Sequence, residues 1–137
     1  MIRLSGLAHV GIAVRSLAEA LPSFRDGLGF THVDTVTLDS MHLRIAFLRA
    51  GESELELLEP TSPDSTVARF LDRRGEGIHH VSFYVQDIEQ ALAEAEAAGL
   101  TLIDRTPREG SHHTRIAFLH PRALHGVLVE LCERRKT

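Results

Sequence analysis

Arg44-Ile45-Ala46-Phe47-Leu48 returns in the same chain as Arg115-Ile116-Ala117-Phe118-Leu119, 71 positions later. A repeated word of this length says that the fold is built from copies of one unit, and the offset can be tested elsewhere. It lays Ala8-His9-Val10 on His79-His80-Val81, and Val14 on Val85. Leu55-Glu56-Leu57-Leu58-Glu59 falls on Val129-Glu130-Leu131-Cys132-Glu133 at an offset of 74, which requires a three-residue insertion in the last loop of the second copy. The chain reads as two related modules, residues 4–60 and 77–133, joined by a linker helix in residues 61–76, all within one domain spanning 1–137.

Local chemistry gives each module the order βαβββ. Leu7 to Val14 is a short apolar run that reads as a strand. Alternation puts Leu7, His9, Gly11 and Ala13 on one face and Ala8, Val10, Ile12 and Val14 on the other, so one imidazole stands on a face of small residues. Ser16 and Glu19 have capping-box spacing, which predicts a helix toward Arg25 with Pro22 kinking it. Strands are expected at 30–36, 43–49 and 53–58, with turn chemistry at Asp39-Ser40 and Gly51-Glu52. A short linker helix follows, capped near Asp64 or Ser65. In the second module Asp87 to Gln90 repeats the capping box ahead of a helix to Ala98, closed by Gly99. Strands are expected at 78–85, 101–104, 114–119 and 127–132.

Composition narrows the function. A chain of 137 residues, 43% hydrophobic and 25% charged, is a globular domain, and either module alone would bury too little surface to be comfortable. A net charge of −4 and a pI of about 6.1, with no basic stripe, give no reason to expect nucleic acid. No apolar run approaches a membrane span and no secretory leader is evident. The single cysteine, Cys132, forbids an intramolecular disulfide and suits a reducing, cytoplasmic setting. Walker-type, GxGxxG, CxxC and Gly-x-Ser-x-Gly motifs are missing from the sequence, which argues against nucleotide, flavin and serine-hydrolase chemistry.

The repeat itself selects the polar residues to watch. It matches His9 with His80 and Glu56 with Glu130, and parity prefers His80 over His79, which shares a face with Val81, Phe83 and Val85. Two imidazoles and two carboxylates are an N₂O₂ donor set suited to a divalent transition metal, with octahedral positions left for water or substrate. Glu54 shares the parity of Glu56 as a rim carboxylate. His112, His113 and Arg122 lie in loops, where solvation is the usual fate, and Cys132 is expected to act as a small hydrophobe.

The words His9-Val10-Gly11-Ile12-Ala13-Val14, Glu56-Leu57-Leu58-Glu59-Pro60, Ser62-Pro63-Asp64-Ser65, Gly75-Glu76-Gly77-Ile78-His79-His80, Ala117-Phe118-Leu119-His120-Pro121 and Gly126-Val127-Leu128-Val129-Glu130-Leu131 stand in an order that resembles the vicinal oxygen chelate superfamily, and in detail its methylmalonyl-CoA epimerases. The resemblance covers nearly the whole chain. It implies an α+β fold in which two βαβββ modules form a curved mixed sheet around a metal site. It places metal ligands on His9, Glu56, His80 and Glu130, and implies a divalent ion, cobalt first, with zinc, manganese or nickel as alternatives. It further implies a CoA thioester substrate and a homodimer. Epimerisation at C2 needs a proton removed from one face and returned to the other through an enolate. Glu130 is the first choice for one proton-transfer group and Glu56 the second.

Three stretches depart from the resemblance: Asp39 to His42, where a Pro-Glu-containing turn is usual; Ile45, where some members carry a glutamate proposed as a base; and Arg122 to His125, with His113 in place of a glycine. All three fall where acyl or CoA contacts are expected. The alternatives are a glyoxalase-type isomerase, an Fe(II) dioxygenase, and a metal-free drug-binding module. A two-His, one-carboxylate triad would mark the dioxygenase, and a ligand role for Glu56 argues against it.

Overall fold

Both copies of the repeated word form strands whose alternate residues cover a helix, and the rest of each unit follows from that. The computed structural model describes residues 1–135. Its strands are β1 (Gly6–Ala13), β2 (Thr31–Leu38), β3 (Leu43–Ala50), β4 (Ser53–Pro60), β5 (Gly77–Tyr84), β6 (Arg108–Glu109), β7 (Thr114–Leu119) and β8 (Val129–Arg134). Its α-helices are α1 (Leu17–Pro22), α2 (Thr66–Arg74) and α3 (Ile88–Ala97). The chain divides into two compact units, one of residues His9–His79 and the other of Met1–Ala8 with the chain from His80 onward.

In the first unit the strand order is β2-β3-β4-β1. β1 runs parallel to β4 with Gly11 opposite Glu56, and β3 runs antiparallel to β4 with Phe47 opposite Glu56. In the second unit the order is β5-β8-β7-β6. There β5 runs parallel to β8 with Ser82 opposite Glu130, and β7 antiparallel to β8 with Phe118 opposite Glu130. Gly11 and Ser82 are 71 positions apart, as are Phe47 and Phe118, so the repeat is carried into the strand registers.

The cores repeat as well. Val14, Leu17, Ala46, Leu48 and Leu57 are buried together in the first unit, with Ala20, Leu21 and Phe24 of the first helical segment packed on them. The matching positions of the second unit, Val85, Ile88, Ala117, Leu119 and Leu131, are buried with Ala91, Leu92 and Ala95 of α3. Leu57 and Leu131 are each about 1% exposed or less, the setting in which Leu→Ala costs ~2–5 kcal/mol. The other face of the first sheet carries a second cluster, Ala13, Leu43, Ile45 and Leu58, covered by Val67 and Leu71 of α2.

Both helices on the repeated faces begin alike. Ser16 Oγ accepts from Glu19 N at 3.2 Å and Asp87 Oδ1 accepts from Gln90 N at 3.1 Å, as N-caps do. A second acceptor comes from the last glutamate of the repeat. Glu59 takes the Leu17 N–H and Glu133 takes the Ile88 N–H, both at 2.9 Å. The arginine that opens the repeated word steadies each acceptor: Arg44 Nη1 donates to Glu59 at 3.3 Å, and Arg115 Nη2 to Glu133 at 2.9 Å. The expected capping box is only half made in α3, because the Gln90 amide donates forward to Glu94.

Two expectations are revised. Pro22 ends α1 rather than kinking a longer helix, and the chain continues as one π-helical turn, Ser23–Gly27, closed by Leu28 N–H to the Ser23 carbonyl. Its ring and missing N–H spoil the preceding α-helical ladder. The strand expected at 101–104 is reduced to a single bridge, Leu102 with Leu119. The Asp104 carboxylate takes the Phe118 N–H at 2.9 Å, and the Phe118 carbonyl receives both Ile103 N and Asp104 N, so the ladder stops there. The short β6, after Pro107, pairs with β7 instead. The last loop contains a 3₁₀ turn at Pro121–Leu124.

Candidate functional site

In the first unit β1 presents His9, 7% exposed, and the neighbouring β4 presents Glu56. His9 Nδ1 lies 2.9 Å from Glu56 Oε2. A ring carrying its proton on Nδ1 donates this bond. Gly11, opposite Glu56, offers no side chain. Glu54, two residues away with the same parity, is paired with Arg49 at 3.0 Å on the solvent side.

In the second unit His80, Ser82 and Glu130 are 5%, 0% and 4% exposed. Ser82 Oγ donates to Glu130 Oε1 at 2.7 Å, a short, charge-assisted bond. His80 Nε2 stands 3.9 Å from Glu130 Oε2. The His80 ring meets Phe118 edge to face, centroids 5.4 Å apart. The two units thus hold matched residues differently: the carboxylate of the first is tied to its histidine, that of the second to a serine hydroxyl. The structure brings His9 to Glu56 and His80 to Glu130.

His79 is half-buried and edge-on to Phe70 of α2, centroids 5.0 Å apart. Burial pushes its imidazole down to about 4, so it is neutral at pH 7. His112 and His113 are exposed in a loop, both with left-handed backbone, and Arg122 is exposed on the 3₁₀ turn. Cys132 is buried between Tyr84 and Ile116 in the strand registers. Ile45, 4% exposed, packs in the apolar cluster under α2 and carries no proton-transfer group. His42 takes the left-handed conformation after the turn at Asp39–Met41.

Sequence reading did not assign a role to Ser82, although the register of the repeat contained it: the position opposite Glu56 is glycine and the position opposite Glu130 is serine. Nor did it single out Asp104 and Arg108. Arg108 pairs with Asp104 at 3.2 Å, and its guanidinium lies over Phe118, 5.9 Å from the ring centre.

Residues 8–118 match the model of the Glyoxalase/Bleomycin resistance protein/Dioxygenase superfamily. The chain belongs to this superfamily. Among its relatives, the YqjC protein of Bacillus subtilis (strain 168) is 39% identical over 130 residues, covering 95% of this chain and 93% of that one. The ethylmalonyl-CoA/methylmalonyl-CoA epimerase of Cereibacter sphaeroides is 34% identical over 128 residues, covering 91% and 95%. A structure of methylmalonyl-CoA epimerase in complex with methylmalonyl-CoA and NH4+ superposes with a TM-score of 0.92 at 36% identity, covering 96% of each chain. The superfamily resemblance read from the sequence, and its methylmalonyl-CoA epimerase branch, are therefore found among known proteins. The fold is the vicinal oxygen chelate fold of that superfamily. No described helix is long and apolar enough to cross a membrane.

Proposed function

We propose that this protein is a metal-dependent methylmalonyl-CoA epimerase. The observation that carries the reading is the end-to-end match to epimerases, including one holding methylmalonyl-CoA, in a chain that keeps two His/Glu pairs at repeat-related positions.

The donor chemistry fits a divalent ion. His9, His80 and Glu130 are each buried, and we take them as donors of the proposed set because imidazole and carboxylate groups are what a divalent transition metal binds. Glu56 completes the proposed set. Two neutral imidazoles and two carboxylates carry charge −2 together, which a divalent cation neutralises, and neutralisation offsets the cost of burying a carboxylate such as Glu130. A bound ion would supply Lewis-acid stabilisation of the negative charge that develops on the thioester oxygen as the C2 proton leaves.

The chain's own residues supply the rest. Glu130 moves the C2 proton on one face, and Glu56 serves the opposite face. Ser82 fixes Glu130 by donating to Oε1; when that oxygen takes up a proton, the hydroxyl can rotate and accept. The Nδ1–H of His9 orients Glu56 in the same way. Cobalt as the ion, a homodimeric state and a cytoplasmic setting belong to this proposal.

The test is deuterium incorporation at C2 of methylmalonyl-CoA, followed by NMR in D₂O with cobalt-loaded protein beside His80→Ala. Fast exchange that is lost in the variant supports the reading. No exchange despite bound cobalt sinks the epimerase assignment.

A further inference from the structure

Arg108 stands on β6 opposite Ile116, and its side chain reaches over Phe118, which has the same parity on β7. That is the face on which Phe118 meets the His80 ring and lies opposite Glu130. The guanidinium is therefore one aromatic ring removed from the histidine of the second unit.

Its orientation is fixed before any ligand arrives. Nη2 donates to Asp104 Oδ2 at 3.3 Å and Nε stands 3.2 Å from Oδ1, and Oδ2 also accepts the Phe118 amide at 2.9 Å. The aspartate is only 13% exposed, whereas the arginine side chain is 44% exposed. Asp104 thus holds one edge of the fork beside the Phe118 ring, and Nη1 has no partner among the described residues. A guanidinium held by one edge, with two donors left on the other, is preorganised for a carboxylate.

We propose that Arg108 reads the free carboxylate of the acyl group, and so selects a carboxyacyl thioester over a simple acyl thioester. The inference rests on the epimerase reading and deepens it. A carboxylate is favoured over the CoA phosphates because Arg108 stacks on the ring that touches His80, while the phosphates trail the thioester by the length of the pantetheine arm.

The experiment measures binding of methylmalonyl-CoA, propionyl-CoA and free CoA by calorimetry to cobalt-loaded wild type, Arg108→Gln, Arg108→Lys and Arg105→Gln. The last removes the same charge from an exposed pair with Glu96 and serves as control. Arg108→Gln should weaken methylmalonyl-CoA by about tenfold to hundredfold, the loss of one hydrogen bond to a charged group. Propionyl-CoA and CoA should be left nearly unchanged, Lys should recover part of the loss, and Arg105→Gln should lose nothing. Equal weakening of methylmalonyl-CoA and propionyl-CoA, or no weakening of either, overturns the proposal while leaving the epimerase reading in place. A wild-type protein that binds neither thioester refutes the epimerase reading and Arg108's role with it.

Discussion

Replacing Ser82 by Ala removes one oxygen from a fully buried position, and that oxygen donates a 2.7 Å hydrogen bond to Glu130, itself 4% exposed. Water has little access to restore the lost donor, so the cost is close to that of a hydrogen bond to a charged group, ~1.5–3 kcal/mol. The vacated volume is too small to add a large cavity term. A loss of about 2 kcal/mol in a domain of this size lowers the melting temperature by roughly 6 °C. Ser82→Gly, which copies Gly11 of the first unit, should fall about 0.5–1 kcal/mol further because glycine loses more freedom on folding. If Glu130 is a metal ligand, losing its orienting partner should also weaken cobalt binding by about 10–100-fold. Thermal melts of the metal-free protein and cobalt titrations read the two effects separately. A melting temperature within about 1 °C of wild type, together with unchanged cobalt affinity, would refute the account of Ser82 as the group that holds Glu130.

Glu59→Ala and Glu133→Ala should each destabilise by about 1–2 kcal/mol, since each removes an acceptor from a helix-start amide and an arginine's partner; denaturant midpoints that move for one and not the other would break the equivalence of the two units. At Gly110 an added Cβ would overlap Thr114 Oγ1, which is tied to the Ser111 carbonyl, and would stand 3.0 Å from Ile116 Cγ2. Gly110→Ala should therefore cost about 1–3 kcal/mol in an unfolding titration, whereas an unchanged midpoint would mean that the loop simply yields. Chelation should lower the melting temperature and cobalt at about 100 times its Kd should restore about 2.7 kcal/mol, because the proposed ligands are distant in sequence and only folding assembles them; melts indifferent to chelator would count against the metal site.

The offset between repeated words made much of this legible, because burial is a property of position in a strand and the same positions recur. Val14 and Val85, Ala46 and Ala117, and Leu57 and Leu131 are buried in turn, and Phe47 and Phe118 keep the same partner register. What escaped depends on which side chain reaches which backbone atom. Asp104 looked like the end of a strand, but its carboxylate takes the Phe118 amide that a ladder would have used. That substitution also leaves room for Arg108 to come in after Pro107, a consequence that no periodicity encodes. His9 and His80 could be paired from the repeat, yet their carboxylates are held by different donors, His9 in one unit and Ser82 in the other. Duplication accounts for the likeness of the units. The proposed reaction needs a proton-transfer group on each face of C2, and the different donors to Glu56 and Glu130 make the two directions chemically distinct. A Gly11→Ser variant, which gives the first unit the hydroxyl of the second, tests this directly. With both carboxylates offered a serine donor, C2 exchange should persist while the two epimers exchange at rates closer to one another than in wild type. Unchanged relative rates would mean that the asymmetry at Gly11 and Ser82 has no part in the chemistry.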